Sequence, residues 1–183
     1  MRLATSPDLA AVSEINRFWL SAGRAGCRDD GYLVGEPYED EVLARVAADD
    51  GVAVAEDCGH IVGYYLFDDH SCDPTTARYL RAIGELTRRG AIDPRWRVCR
   101  RAQVAIRPEW HASGLSARLL HVLRARHRDR FDAVFSFVAK DNPKLGAHQR
   151  IGWRIVGGDR AFHHVLLPLR GSRGGDVVRE EGP

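Results

Sequence analysis

The stretch Arg107–Leu120 reads RPEWHASGLSARLL and decides the fold more than any other part of the sequence. It follows Gln103–Ile106 (QVAI), which is typical of the end of a strand, and it leads into an amphipathic pattern that is typical of a helix. The small residues Ala112–Gly114 allow a backbone to approach a ligand closely. The first N–H groups of a helix lack partners within the helix, and with the helix dipole they attract an anion such as a pyrophosphate. The stretch predicts a strand, a ligand-binding loop and a helix, although such a corner also occurs where the chain merely turns.

The composition narrows the class of protein. The chain has 183 residues, of which 44% are hydrophobic and 28% charged, and this is typical of one soluble globular domain. The net charge of +2 is too small to indicate a polyanionic partner, so we expect no nucleic acid. No apolar run reaches membrane-spanning length, and the start MRLATSPD is not a signal peptide, so we expect a cytoplasmic protein without a membrane partner. The widely spaced cysteines indicate reduced thiols and no metal site.

Periodicity and turn residues predict an α/β order along the chain. A helix is expected from Ser6 as N-cap with Pro7 at its first position. The other predicted elements are a helix at 39–48, a hairpin at 51–67, a helix at 74–90, a long strand at 97–106, a buried strand at 133–138, a short helix at 142–151, and closing strands at 153–156 and 162–167. We expect one domain over residues 1–168 and a disordered tail over 169–183.

Three segments of the chain resemble motifs of the GNAT family of acetyl-CoA-dependent N-acetyltransferases. Val104–Ser116 (VAIRPEWHASGLS) resembles the family's strand and phosphate loop, with His111 in the place of a Gln or Arg. Asn142–Trp153 (NPKLGAHQRIGW) resembles the family's Asn…Tyr-x-x-x-Gly-Phe segment, and Gly51–Phe67 resembles its hairpin. Each motif alone is common, so the assignment depends on their joint order over roughly residues 1–168.

The resemblance implies a fold and a reaction. The fold is α/β, with a mixed central sheet of about six or seven strands and flanking helices. The strand ending at Ile106 is expected to splay from the strand at 133–138, and the pantetheine arm of acetyl-CoA to bond to main-chain groups of Val104 and Ile106. The reaction is direct transfer of an acetyl group to a primary amine of a small molecule. No cysteine lies in a motif position, which disfavours a covalent enzyme intermediate.

The resemblance also assigns the residues that contact acetyl-CoA. They are Val104, Ala105, Ile106, His111, Ala112, Ser113, Gly114, Leu115, Ser116, Ala117 and Asn142. The loop departs from the family pattern at His111 and Ser116, and it has one glycine where the family often has three. Asn142 is equally well suited to be the N-cap of the short helix.

His148 is the candidate general acid. It lies four residues before Gly152, where the family usually has a tyrosine, and an imidazole suits proton donation near neutral pH. The alternative is a histidine on the helix surface. No general base is assigned, because residues 96–106 contain no carboxylate; Asp68, Asp69, Glu109 and a water chain are candidates.

The acceptor amine is expected between the loop at 31–38, the end of the hairpin near Asp68, the helix at 74–90 and the last strands. Tyr32, Tyr38 and Asp68 are candidate acceptor-binding residues, and Tyr65 and Trp96 either line the same pocket or belong to the core. Two other functions stay open: a non-catalytic acyl-CoA-binding or sensing module, and an RNA-binding protein that uses the arginines at 95–130. The closing strands are a candidate homodimer surface.

Overall fold

The structure, a computed structural model, describes residues 1–25, 31–70 and 74–170. These residues form eight strands, five α-helices and two short 3₁₀ helices at Ser6–Asp8 and Pro108–Trp110. In chain order the elements are β1 (Arg2–Leu3), α1 (Leu9–Arg24), α2 (Asp40–Ala48), β2 (Val52–Asp57), β3 (His60–Asp68), α3 (Pro74–Arg88), β4 (Val98–Cys99), β5 (Arg101–Ile106), α4 (Leu115–His127), β6 (Ala133–Ala139), α5 (Leu145–Arg150), β7 (Arg154–Gly158) and β8 (Phe162–Pro168).

The strands form two half-sheets, ordered β1-β2-β3-β5 and β4-β6-β8-β7. One chain segment joins them, because β4 pairs with β6 in parallel while β5 pairs with β3 in antiparallel fashion. The predicted long strand at 97–106 is therefore interrupted at Arg100. There the Asp69 carboxylate accepts bonds from the Arg100 backbone N–H at 3.2 Å and from Arg100 Nε at 2.9 Å, which takes that N–H out of the strand ladder. The mixed α/β sheet and its splay, both predicted from the sequence, are confirmed.

Helices cover both faces of the sheet. Helices α1 and α2 pack on one face of the first half-sheet, where Val12, Leu43 and Tyr64 are buried. Helix α4 lies across the other face and reaches both half-sheets through Leu119 and Leu123. These two leucines are four residues apart, so they lie on one face of the helix. Helix α3 covers the second half-sheet, so the cleft between the half-sheets has helices on both sides.

The start of α1 differs from the prediction. Thr5, not Ser6, is the cap: its backbone N–H and its hydroxyl both donate to the Asp8 carboxylate, at 2.7 and 2.8 Å. Arg2 donates to the same carboxylate at 2.6 and 2.9 Å. These bonds hold the pKa of Asp8 well below its usual range. The first turn is consequently a 3₁₀ helix, and α1 begins only at Leu9.

One residue of the predicted tail, Leu169, packs against the domain. Leu169 is only 4% exposed, and its N–H donates to the Asp132 carbonyl at 2.9 Å. Leu169 therefore belongs to the packed core, since its side chain extends the apolar face of β8. The rest of the predicted tail, 171–183, lies outside the described residues.

Cys58 is exposed and Cys99 is buried, and both are free thiols, while Cys27 and Cys72 lie outside the described residues. Among the helices of the described ranges, none has the length and apolar character needed to cross a bilayer. A search of the same ranges for three or more His, Cys, Asp or Glu side chains arranged around a metal ion finds no such group.

Candidate functional site

A cavity of about 740 Å³ opens where β5 diverges from β6. At its closed end the strands are linked, because Ser136 Oγ on β6 donates to the Ala102 carbonyl on β5 at 3.0 Å. At the other end lies the loop before α4, and Gly31–Gly35, α3 and α5 complete the wall. The wall includes all eleven residues assigned to acetyl-CoA from the sequence, together with His148 and Tyr32. The structure thus brings these residues into one cavity, and their contact with acetyl-CoA stays a prediction.

The open edge of β5 presents main-chain N–H and C=O groups to the cavity. The Arg107 N–H donates to Val62 on β3 at 2.8 Å, whereas the Ala102 carbonyl faces β6. Since bonding direction alternates along a strand, the main-chain groups of Val104 and Ile106 face the open side. The Ile106 carbonyl already accepts a bond from Trp19 Nε1 at 3.0 Å. Val104 is therefore the better candidate of the two for binding an extended ligand.

The loop before α4 aims helix N–H groups into the cavity. Gly114, at φ 74°, lies in the left-handed region that glycine favours, and Ala112 adopts φ 61°. The first helical bond of α4 runs from the Arg118 N–H to the Gly114 carbonyl at 3.2 Å. The N–H groups of residues 115–117 precede that bond, so they are oriented toward a ligand at the helix start. With the helix dipole, they are suited to bind an anion at this end of the cavity.

His111 holds this loop in place. Its ring stacks on Trp19 with a centroid distance of 5.3 Å, and its Nε2 lies 3.1 Å from the Ile106 carbonyl. The histidine that stands for the family's Gln or Arg is thus engaged with the protein's own backbone. Trp19 was missed as a site residue, because its spacing in the sequence matched the buried face of α1.

Asn142 connects the two sides of the cavity. Its Oδ1 accepts a bond from the Lys144 N–H at 2.9 Å, just before α5, and its Nδ2 donates to the Tyr32 carbonyl at 3.2 Å. Tyr32 in turn donates its hydroxyl to the Asp141 carboxylate. The expected capping role is therefore present in modified form, with Lys144 as the formal N-cap, and the loop at Gly31–Gly35 is fastened across the cleft.

His148 lies on α5 with its half-buried ring in the cavity wall. Burial lowers the pKa of His148 to about 4. This value lies below the near-neutral pKa expected from the sequence for a proton donor. The physical reason is loss of hydration of the charged form. His148 is neutral at pH 7 and offers one N–H donor.

Tyr38 and Asp68, two of the candidate acceptor residues, lie behind the cavity wall. Asp68 is 1% exposed and accepts bonds from the Tyr38 hydroxyl at 3.1 Å and the His70 N–H at 2.8 Å. It borders a much smaller cavity of about 10 Å³ next to the large one. Of the other candidate bases, Asp69 pairs with Arg100 at 2.9 Å, and Glu109 is exposed on a 3₁₀ helix. Among the described residues that line the large cavity there is no carboxylate.

The closed end of the cavity carries a group of side chains that sequence reasoning did not single out. Tyr79 and Arg78 on α3 lie there, together with Arg101 on β5. The Arg78 guanidinium is 4.6 Å from the Phe137 ring centroid and 4.3 Å from that of Phe162, and it donates to Asp159 at 2.7 Å. The predicted pocket role of the helix at 74–90 agrees with this placement. Tyr65 also lines the cavity, whereas Trp96 is 37% exposed at the surface.

Many of the arginines at 95–130 are paired with acids at the surface. Their partners lie 2.5–3.5 Å away. The pairs are Arg95–Asp93, Arg97–Asp132, Arg100–Asp69, Arg107–Glu14, Arg126–Asp50 and Arg130–Asp49. These arginines therefore belong to a surface on which acids balance much of their charge.

Comparison with known proteins identifies the fold. No protein-family model matches the sequence, and a search of curated proteins finds no match. A GNAT-family acetyltransferase from Listeria monocytogenes superposes with a TM-score of 0.62 over 91% of this chain and 92% of its own, at 9% identity. YncA from Salmonella typhimurium, solved with acetyl-CoA, gives 0.59 over 96% of both chains at 17% identity. The PaiA N-acetyltransferase from Thermoplasma acidophilum, solved with coenzyme A, gives 0.56 over 91% of this chain and 96% of its own at 12% identity. The chain has the GNAT acetyltransferase fold.

Proposed function

We propose that the protein is an acetyl-CoA-dependent N-acetyltransferase that moves an acetyl group directly to a primary amine of a small molecule. The observation that carries the proposal is the cavity between β5 and β6, which has the exposed N–H groups of α4 at one end and an open strand edge along its side. The first feature suits a pyrophosphate and the second an extended amide-containing arm. Two structures of the same fold that were solved with acetyl-CoA or coenzyme A support this assignment.

Each part of the chain has a role in this reaction. The N–H groups of residues 115–117 hold the pyrophosphate, and the Val104 main chain aligns the pantetheine arm. A main-chain N–H on this edge can also polarise the thioester carbonyl, as an oxyanion needs. The amine nitrogen forms a bond to the acetyl carbon, the carbon–sulfur bond breaks, the thiolate gains a proton and the amine loses one. The acceptor reacts as the neutral amine and releases its proton to water, since the described cavity wall offers no carboxylate.

His148 is proposed to assist the departing thiolate. In the ligand-free protein burial lowers the pKa of His148 to about 4, so the ring is neutral at pH 7. The neutral ring still donates a hydrogen bond through its N–H. The negative charge of a thiolate that forms beside the ring raises the pKa of His148, so the ring takes up a proton from water and passes it to the sulfur.

A non-catalytic acyl-CoA-binding module is the second candidate, and one observation favours it: the lack of a carboxylate in the described cavity wall. The RNA-binding alternative loses support, because the arginines on which it depends are engaged with acids. We expect the partner to be a small-molecule amine, the location to be the cytoplasm, and neither a nucleic acid nor a membrane to be involved. The homodimer through the closing strands stays a prediction.

Isothermal titration with acetyl-CoA tests the proposal, with dephospho-CoA as the control. We expect micromolar affinity that weakens without the 3′-phosphate, followed by release of free CoA in a screen of amines. His148→Gln separates the two candidates: an enzyme loses turnover while its acetyl-CoA affinity stays close to that of the wild type. Absence of acetyl-CoA binding would exclude both, and binding without turnover of any amine would favour the module.

A further inference from the structure

The closed end of the cavity, opposite the N-terminus of α4, is rich in hydrogen-bond donors. Every charged side chain among the described residues of the cavity wall is cationic: Arg78, Arg101, Lys144 and Arg150. Two of them, Arg78 and Arg101, belong to the closed end, where Ser136 joins β6 to β5. The acids nearest to this end, Asp68 and Asp159, do not line the cavity.

Tyr79 lines the same cavity as the two arginines. Its ring is buried against Phe137 with a centroid distance of 4.5 Å, and its hydroxyl reaches the Ser136 side chain. Burial raises the pKa of Tyr79, while the positive charges of Arg101 and Arg78 oppose that rise. The hydroxyl stays protonated at physiological pH and acts as a donor.

Contacts with aromatic rings hold both arginines in position. Arg101 lies with its guanidinium carbon 4.8 Å from the centroid of the buried Tyr38 ring, and it is the register partner of Asp68 across β3 and β5. Arg78 is fixed over two aromatic rings and uses Nη2 for its bond to Asp159. A guanidinium has five N–H donors, so a bond to one acid leaves it able to bind a second oxygen ligand. A preorganised pair of this kind matches the geometry of a carboxylate.

We propose that the acceptor is a small amino acid, whose carboxylate binds at the closed end between Arg78 and Arg101 while its amine faces the Val104 edge. This inference depends on the proposed N-acetyltransferase function. Arg101 precedes Val104 by three residues, about 10 Å along a strand, and Arg78, Arg101 and Val104 line the same cavity. An amino acid with its carboxylate at the two guanidinium groups and its amine toward Val104 would occupy this part of the cavity. The reaction yields an N-acetylamino acid and free CoA, with one proton released from the amine.

The test compares acids with their neutral counterparts. The standard L-amino acids and β-alanine are supplied with acetyl-CoA, each as the free acid and as its carboxamide, and release of CoA thiol is followed. We expect at least one acid to react, with kcat/KM exceeding that of its carboxamide by about tenfold to a hundredfold, as loss of a charge-assisted pair predicts.

Substitutions test whether Arg78 and Arg101 cause the preference for the acid over its carboxamide. R101Q and R78Q should each raise KM for the acid by about tenfold or more and leave KM for the carboxamide close to the wild-type value. R81Q is the matched control, because Arg81 is exposed on the same helix as Arg78 and lies outside the cavity wall. Unchanged acetyl-CoA affinity, measured by calorimetry, shows that each variant is folded and that the cofactor end is intact.

The outcomes separate this inference from the proposed function. Three results would each overturn the amino acid acceptor. Carboxamides or simple amines could react as well as the acids, R101Q could affect the acid and its carboxamide equally, or every amino acid could fail to react while acetyl-CoA still binds. Those results leave the N-acetyltransferase proposal intact. Absence of acetyl-CoA binding removes the proposed function itself, and the inference with it.

Discussion

The pKa of His148 is controlled by its surroundings and could not be inferred from its position in the sequence. The sequence places an imidazole four residues before Gly152, and the structure places it in the cavity wall, where burial lowers its pKa to about 4. An isolated histidine titrates near 6.5. Because the folded protein resists protonation of this ring and the unfolded chain does not, His148 makes stability depend on pH.

We predict that H148Q reduces the acid sensitivity of the fold. His148 adds no penalty above pH 6.5, and the penalty grows as pH falls toward 4, since the unfolded chain binds the extra proton. At pH 5 the difference is about 1–2 kcal/mol for this half-buried ring. Urea unfolding at pH 7 and pH 5 measures it, and H121Q, which removes an exposed imidazole, is the control. His127 and His164, whose pKa values burial also lowers, contribute equally to both proteins.

If H148Q and the wild type lose the same unfolding free energy between pH 7 and pH 5, then the imidazole is hydrated and its pKa is near the ordinary value. In that case His148 could act as a general acid without help from a thiolate. The comparison of unfolding free energies therefore decides whether the pKa of His148 is lowered or ordinary, and it needs no substrate.

At the scale of elements, the strand, loop and helix at 103–127 followed from the sequence because local chemistry determines them. Apolar alternation makes β5, small residues make the loop, and leucines four apart make the buried face of α4. The interruption at Arg100 could not be predicted, because it depends on Asp69, which is 31 residues away. The stacking of His111 on Trp19 is likewise a long-range contact.

We predict that Gly114→Ala weakens acetyl-CoA binding, because an alanine at φ 74° is strained and turns the first N–H groups of α4 away from the cavity. The strain costs about 1 kcal/mol of unfolding free energy. Gly90→Ala is a matched control: Gly90 has the same φ of 74°, an added Cβ meets nothing within 4 Å at either site, and Gly90 lies outside the cavity wall.

Denaturant unfolding measures the stability of the two glycine variants, and calorimetry measures their affinity for acetyl-CoA. Both variants should lose similar stability, and only Gly114→Ala should lose acetyl-CoA affinity, by about tenfold for a displaced set of phosphate donors. Equal affinity in the two variants would contradict the assignment of the α4 N-terminus as the phosphate site.

At the scale of the whole molecule, the order of elements predicted the sheet, yet the residues at the closed end of the cavity had no signal in the sequence. Arg78 and Tyr79 come from α3 and Arg101 from β5, and only the splay of the two half-sheets brings them together. Their spacing in the chain resembles that of ordinary surface and core residues. The anion site at α4 could be predicted because one continuous segment forms it, whereas the acceptor end depends on the complete fold.

The two half-sheets share the 98–106 segment and α4, and the proposed acetyl-CoA site lies between them. A ligand bound there stabilises both halves at once, so we predict a single unfolding transition that moves as a whole when acetyl-CoA is added. At a concentration of 100 times Kd the unfolding free energy should rise by about 2.7 kcal/mol. Thermal unfolding followed at two probes, tryptophan fluorescence and far-ultraviolet circular dichroism, measures the shift. If the two probes separate and only one moves, the halves unfold independently and the ligand binds to one of them. Since Val104 belongs to one half and α5 packs at the edge of the other, that result would also exclude a site that uses both.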